Sequence, residues 1–247
     1  MEYERNRDYV GEKSRRMQQR RKNLEHRQEK EIEAKKKLLK NVETTETLSL
    51  KPLTHHKACL VELRNLQISY GEKVVCRNVN LKVNQGQRIG LKGSNGCGKS
   101  SILKLIVGED VPHEGQILTA QGLKISYVPQ DTSWLTGHLK EFVQNYELDE
   151  TLFLTLLRKM DFSREQFEKP MQTYSSGQKK KVLLAMSLCQ QAHLYIWDEP
   201  LNYIDIFSRM QIENFIKNTC PTMVIVEHDR KFLDNVTDSI VSIDFQY

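Results

Sequence analysis

Gly93-Ser94-Asn95-Gly96-Cys97-Gly98-Lys99-Ser100 decides the fold, because it lies between the strand-like Arg88-Ile89-Gly90-Leu91-Lys92 and the helix-forming SILKLIVG that begins at Ser101. A polyphosphate needs closely approaching amides. The glycines clear side chains from the loop, and the helix N-terminus adds partial positive charge. At this spacing Lys99 can reach outer phosphates and the Ser100 hydroxyl can take a magnesium ion, with Ser101 opening the helix behind it.

About a hundred residues later Leu194-Tyr195-Ile196-Trp197-Asp198-Glu199-Pro200 is an apolar strand ending in two carboxylates. Charges at a buried strand end are costly unless a metal ion or its water offsets them. Asp198 therefore suits magnesium coordination, and Glu199 suits polarising an attacking water.

Around these motifs, β-type runs (59–69, 79–83, 88–92, 125–128, 193–197, 222–226, 239–243) alternate with helical stretches (100–107, 139–145, 150–159, 177–190, 205–217, 230–235). Such alternation predicts an α/β domain with a largely parallel sheet, the early antiparallel strands forming a separate edge. Upstream, residues 12–40 hold no Pro or Gly. Met17, Leu24, Ile32 and Leu39 form a narrow apolar seam on a charged helix of roughly 40 Å. The stretch 42–57 is polar and carries Pro52, so it reads as an extended linker before a domain over 58–247, with 1–41 as the arm.

The net charge of +5 is unevenly placed: residues 1–57 hold 16 Lys and Arg against 10 Asp and Glu, whereas 58–247 hold 21 against 22. An anionic partner would meet the first quarter, where Arg5, Arg7, Lys13, Arg15, Arg16, Arg20, Arg21, Lys22 and Arg27 cluster. No stretch approaches the ~18 apolar residues of a membrane span. Five scattered cysteines without a C-x-x-C pair fit a reducing compartment, and a cytoplasmic location is expected. Cys97 lies among the phosphate-binding amides, which leads to the expectation that its alkylation blocks nucleotide binding unless ATP is present beforehand; the alternative is that Cys97 fills a small-residue slot with its thiol turned away.

Five further segments resemble the ATP-binding cassette family in its order, from Cys59 to the C-terminus. Tyr70 matches the aromatic that stacks on adenine, and Gln130 in YVPQD the glutamine that senses magnesium and the γ-phosphate. Ser175-Ser176-Gly177-Gln178 resembles the signature L-S-G-G-Q, departing from it at Tyr174 and Ser176. Asp205 falls on the loop facing the opposite cassette, and His228 in VEHD matches the switch histidine. The resemblance implies a P-loop NTPase cassette with a mostly parallel core sheet, an antiparallel edge sheet and a helical subdomain, preceded by the long charged helix. It also implies ATP and Mg2+ as ligands, Glu199, His228 and Gln130 as hydrolytic residues, and a second cassette to complete each site.

EPLNYID is similar to the E-P-T-N-H-L-D of the ABC-F branch, soluble two-cassette proteins that act on ribosomes through a charged helical arm. LYIWDEPLNYID, SSGQKKK and KPLTHHK resemble its antibiotic-resistance group, which protects ribosomes from lincosamides, streptogramin A and pleuromutilins. The chain is then expected to be the C-terminal half, beginning inside the arm, with ribosomal RNA and tRNA as partners of the basic helix. Two alternatives stay open: the ATPase subunit of a membrane transporter, and a remnant that binds ATP without turnover.

Overall fold

The computed structural model describes residues 52–243. The expected arm lies outside them, as does the linker up to residue 51. Among the described residues no helix is long and apolar enough to cross a membrane.

Two sheets organise the domain. Strands β1 (Cys59–Tyr70), β2 (Lys73–Asn84) and β4 (His113–Thr119) form an antiparallel sheet in the order β2-β1-β4. Strands β3 (Arg88–Lys92), β5 (Ile125–Val128), β6 (Leu194–Asp198), β7 (Met223–Val226) and β8 (Ser239–Ser242) form a parallel sheet, ordered β5-β6-β7-β3-β8. The fold is α/β, with the antiparallel strands standing apart as a second sheet.

The central strands β6 and β7 are buried along their whole length, with both faces covered. Along β6, Leu194 and Ile196 face the core shared with the antiparallel sheet and helix α1 (Lys99–Val107), whereas Tyr195 and Trp197 face a second, helical core. In β7, Val224 and Val226 take the first side, Met223 and Ile225 the second. The period of two along a strand thus builds two cores from one sheet.

The second core is roofed by α2 (Leu139–Asn145), α3 (Glu150–Lys159), the short α4 (Arg164–Glu168) and the long α5 (Ser176–Cys189), with Phe153, Leu156, Leu157 and Val182 to Leu184 buried there. Helices α6 (Ile206–Thr219) and α7 (Arg230–Val236) follow β6 and β7. Leu53 N–H donates to the Ala192 carbonyl at 3.0 Å, so the linker is tied to the cassette from Leu53 onward. The carboxyl ends of β3, β5, β6 and β7 lead into the loops that carry the candidate residues, which is where parallel α/β sheets bind ligands.

Candidate functional site

Between β3 and α1 the loop turns back tightly. A Cβ at Gly93 would collide with the Ile243 carbonyl oxygen and lie 2.6 Å from Cys97 Sγ, so only glycine fits. Gly98 caps α1 in the left-handed region, at φ 93°. Lys99 is only 6% exposed, and its ammonium donates to the carbonyls of Gly93 and Ser94, each at 2.9 Å. The cation is thereby held across the mouth of the loop. Ser94, Asn95 and Gly96 are exposed, while Tyr70 at the end of β1 shares a 3.1 Å hydrogen bond between its hydroxyl and Ser101 Oγ.

Asp198 is 1% exposed, and its Oδ1 has no hydrogen-bond partner. Burial pushes its carboxyl above the usual range. A hydrogen bond from Ser100 opposes that rise, the Glu199 charge adds to it, and Lys180 and Lys99 pull it down. A buried oxygen without a partner, beside a serine hydroxyl, is the donor set a hard divalent cation takes.

Glu199 stands at φ 46°, a strained conformation for a side-chain-bearing residue. Its N–H donates to the Val226 carbonyl at 2.9 Å. Its Oε2 accepts from Gln130 Nε2 and from Asn202 Nδ2, each at 2.6 Å, and its Oε1 lies 3.5 Å from His228 Nε2. The turns after β5, β6 and β7 thus converge on one carboxylate, with Oε1 facing the imidazole.

Behind them Lys180 is buried on α5 and donates to the carbonyls of Pro129 and Asp198, at 2.9 and 3.1 Å. Burial lowers its pKa to about 8, against the pull of Asp198, Glu199 and Glu227. Asn202 and Lys180 escaped the sequence reading. Their signal is faint: one polar residue in an acidic turn, and one lysine among three.

The signature segment opens α5. Ser175 is its N-cap, accepting from Gln178 N–H at 3.3 Å, while Gln178 Oε1 accepts from Ser175 N–H at 2.8 Å. Tyr174 packs edge-on against Phe162, and its hydroxyl donates to the Gln166 carbonyl at 2.6 Å. The departure at Tyr174 therefore fills the helical core, and Ser176 stays exposed on the first turn. A Cβ at Gly177 would run into the Tyr203 carbonyl oxygen, so this glycine lets α5 touch the turn after β6. Among the described residues no hydrogen bond joins Ser175–Gln178 to the phosphate loop.

Asp205 caps α6, accepting from Ser208 N–H at 2.9 Å and Ser208 Oγ at 2.8 Å, and it pairs with Lys181 at 2.7 Å. Burial alone would raise its pKa, but Lys181 and Ser208 hold it at about 2. Its stabilising share is present above the ordinary carboxylate range near 4 and fades as pH falls towards about 2.

Cys97 runs against the alkylation expectation. It is 1% exposed and turned inward beside Gly93, whereas Cys220, at the end of α6, is exposed. Iodoacetamide on the native protein is expected to label Cys220 first and to leave Cys97 and Cys76 unmodified, with nucleotide binding intact, as peptide mass spectrometry would read. Early labelling of Cys97 would contradict this packing.

The family model described as ABC transporter matches residues 76–202. ATP-binding protein Uup of Buchnera aphidicola subsp. Acyrthosiphon pisum (strain APS) is 30% identical over 185 residues, covering 71% of this chain and 31% of its own. Ribosome protection protein VmlR of Bacillus subtilis (strain 168) is 29% identical over 225 residues, 88% of this chain and 40% of its own. The chain thus spans about a third of the length of the curated relatives it matches. A solved ATP-binding subunit of an ABC transporter superposes with a TM-score of 0.62 at 24% identity, over 76% of this chain and 88% of that one, a likeness of fold. The family match runs from within β2 to the turn after the paired acids, over the same loops that the fold gathers at one end of its parallel sheet: the chain belongs to the ABC transporter family.

Proposed function

We propose that the chain is the ATP-binding and ATP-hydrolysing cassette of an ABC-F protein that acts on the ribosome in the cytoplasm, in the manner of the ribosomal protection group. The observation that carries hydrolysis is the convergence of Gln130, Asn202 and His228 on Glu199, next to the buried, unpaired Oδ1 of Asp198. Ser100, Asp198 and Gln130 would hold magnesium, which when bound neutralises phosphate charge. The amides of residues 94 to 100 and the Lys99 ammonium bind the phosphates, and Tyr70 offers a ring to adenine. Glu199 orients the water and accepts its proton at Oε1, and His228 keeps that oxygen aimed. Ser175, Ser176, Gly177 and Gln178, with the Asp205 loop, serve the nucleotide of a second cassette, so turnover needs pairing.

The ribosome reading is supported by the similarity to Ribosome protection protein VmlR and by the surplus of basic residues in 1–57. Sedimentation with purified ribosomes at graded salt tests it. Binding is expected near 50 mM salt. If the arm makes six to ten phosphate contacts, affinity falls by about 10³ to 10⁵ between 50 and 200 mM. Recovery with membranes instead, or a supernatant protein at every salt concentration, overturns it.

A further inference from the structure

We propose that Glu227 is a positioning residue that locks the turn after β6 to the histidine loop after β7, and so keeps both Asn202 and His228 on Glu199. The proposal rests on the reading of Glu199 as the hydrolytic carboxylate.

Glu227 directly follows β7 and is 4% exposed. Among the described residues it has no ion-pair partner within 4.0 Å, an expensive place for a carboxylate. Beside the charge of Lys180, what holds it is backbone. Oε2 accepts the N–H of Leu201 at 3.1 Å, from the turn after β6, and Oε1 accepts the N–H of His228 at 2.8 Å. One buried side chain therefore pins the residue next to Asn202 and the switch histidine itself.

A second strut spans the same two segments. Arg209 donates from Nη2 to the Leu201 carbonyl at 3.1 Å, from Nε to the Ile204 carbonyl at 3.0 Å and from Nη1 to Asp229 Oδ2 at 3.2 Å. Leu201 is thus gripped on its N–H by Glu227 and on its carbonyl by Arg209. The loop after β7 is gripped at His228 and at Asp229 by the same pair. Outside ties are needed because Glu199 and Tyr203 both hold positive φ, at 46° and 64°, and a strained turn persists only when its surroundings over-determine it. Without the Glu227 carboxylate one buried and one part-buried N–H lose their acceptor, the turn relaxes, and both donors drift from Glu199. The phosphate loop, formed after β3, keeps its shape.

The test compares the full chain with Glu227→Gln, of the same size, and Glu227→Ala. Glu227→Gln retains one acceptor oxygen but turns an amide N–H on the other donor. ATP turnover at saturating and limiting ATP, and affinity for a fluorescent ATP analogue, are measured on each. The expected result is a kcat lowered about 10- to 100-fold with KM and nucleotide affinity within about twofold of the parent. A merely structural role would lower the melting temperature and leave kcat per folded molecule unchanged. Should Glu227→Ala not fold, Glu227→Gln decides. A kcat within about twofold of the parent overturns the proposal, as does a joint loss of kcat and affinity. If the parent binds ATP without turning it over, as a cassette lacking its partner would, amide exchange decides the coupling. Faster exchange at residues 199–203 and at His228 in Glu227→Gln, with the phosphate loop unchanged, supports the lock; unchanged exchange there overturns it.

Discussion

Glu199→Gln is expected to lower ATP turnover by at least about 10²-fold while leaving nucleotide binding near the parent level. The amide has the shape of the carboxylate, so its oxygen can still accept from Gln130 and Asn202, whose donors meet Oε2 at 2.6 Å. That choice puts the amide nitrogen on the side of His228, 3.5 Å from Oε1, where a proton acceptor is needed. Asp198 and the phosphate loop are untouched, so ATP still binds but is not spent. A pair of cassettes closed on ATP then has no route to open, and light scattering with ATP should register doubled mass for the variant. Turnover equal to that of a hydrolysing parent would remove Glu199 from its assigned role.

Lys99→Ala is expected to weaken ATP affinity by about 10- to 100-fold, the equivalent of one charge-assisted hydrogen bond of roughly 1.5–3 kcal/mol. The ammonium lies at the mouth of the loop and braces it through the Gly93 and Ser94 carbonyls, so truncation removes a phosphate ligand and loosens the cradle together. Lys99→Arg is not expected to rescue, because a rigid planar fork does not fit where a compact ammonium is held by two carbonyls 2.9 Å away. Titration calorimetry with magnesium present reads both variants. Parent-like affinity in Lys99→Ala would unseat the phosphate-loop reading, and the ribosomal role built on it.

Much of the fold was legible because its decisive elements are local. The strands at 88–92 and 125–128 and the helices at 139–145 and 150–159 have the bounds that their patterns suggest. Buried parallel strands are apolar where they cross the core, so the Ile-Gly-Leu of RIGLK and the whole of MVIV announce themselves. Strand β4, HEGQILT, was not anticipated. It pairs with β1 alone and is mostly exposed, so no alternation of apolar residues marks it. The short α4 was missed for the same reason, having no buried residue.

The sequence by itself determined the chemistry of each motif: which loop suits phosphate, which strand ends in acids, and in what order the segments run. These depend on residue type and spacing along a few consecutive positions, where glycine, lysine and carboxylate leave little choice. Only the tertiary structure decided which side chains meet. It turned Cys97 inward, engaged Asp205 as a helix cap, buried Tyr174 in the helical core, and brought Asn202 to the Glu199 carboxylate, Lys180 to the Asp198 carbonyl and Glu227 to the turn that follows them. Those contacts join positions distant in the chain, such as Gln130 to Glu199 and Leu201 to Glu227. Their geometry is set by the order of strands in the parallel sheet, which pattern along one chain does not encode.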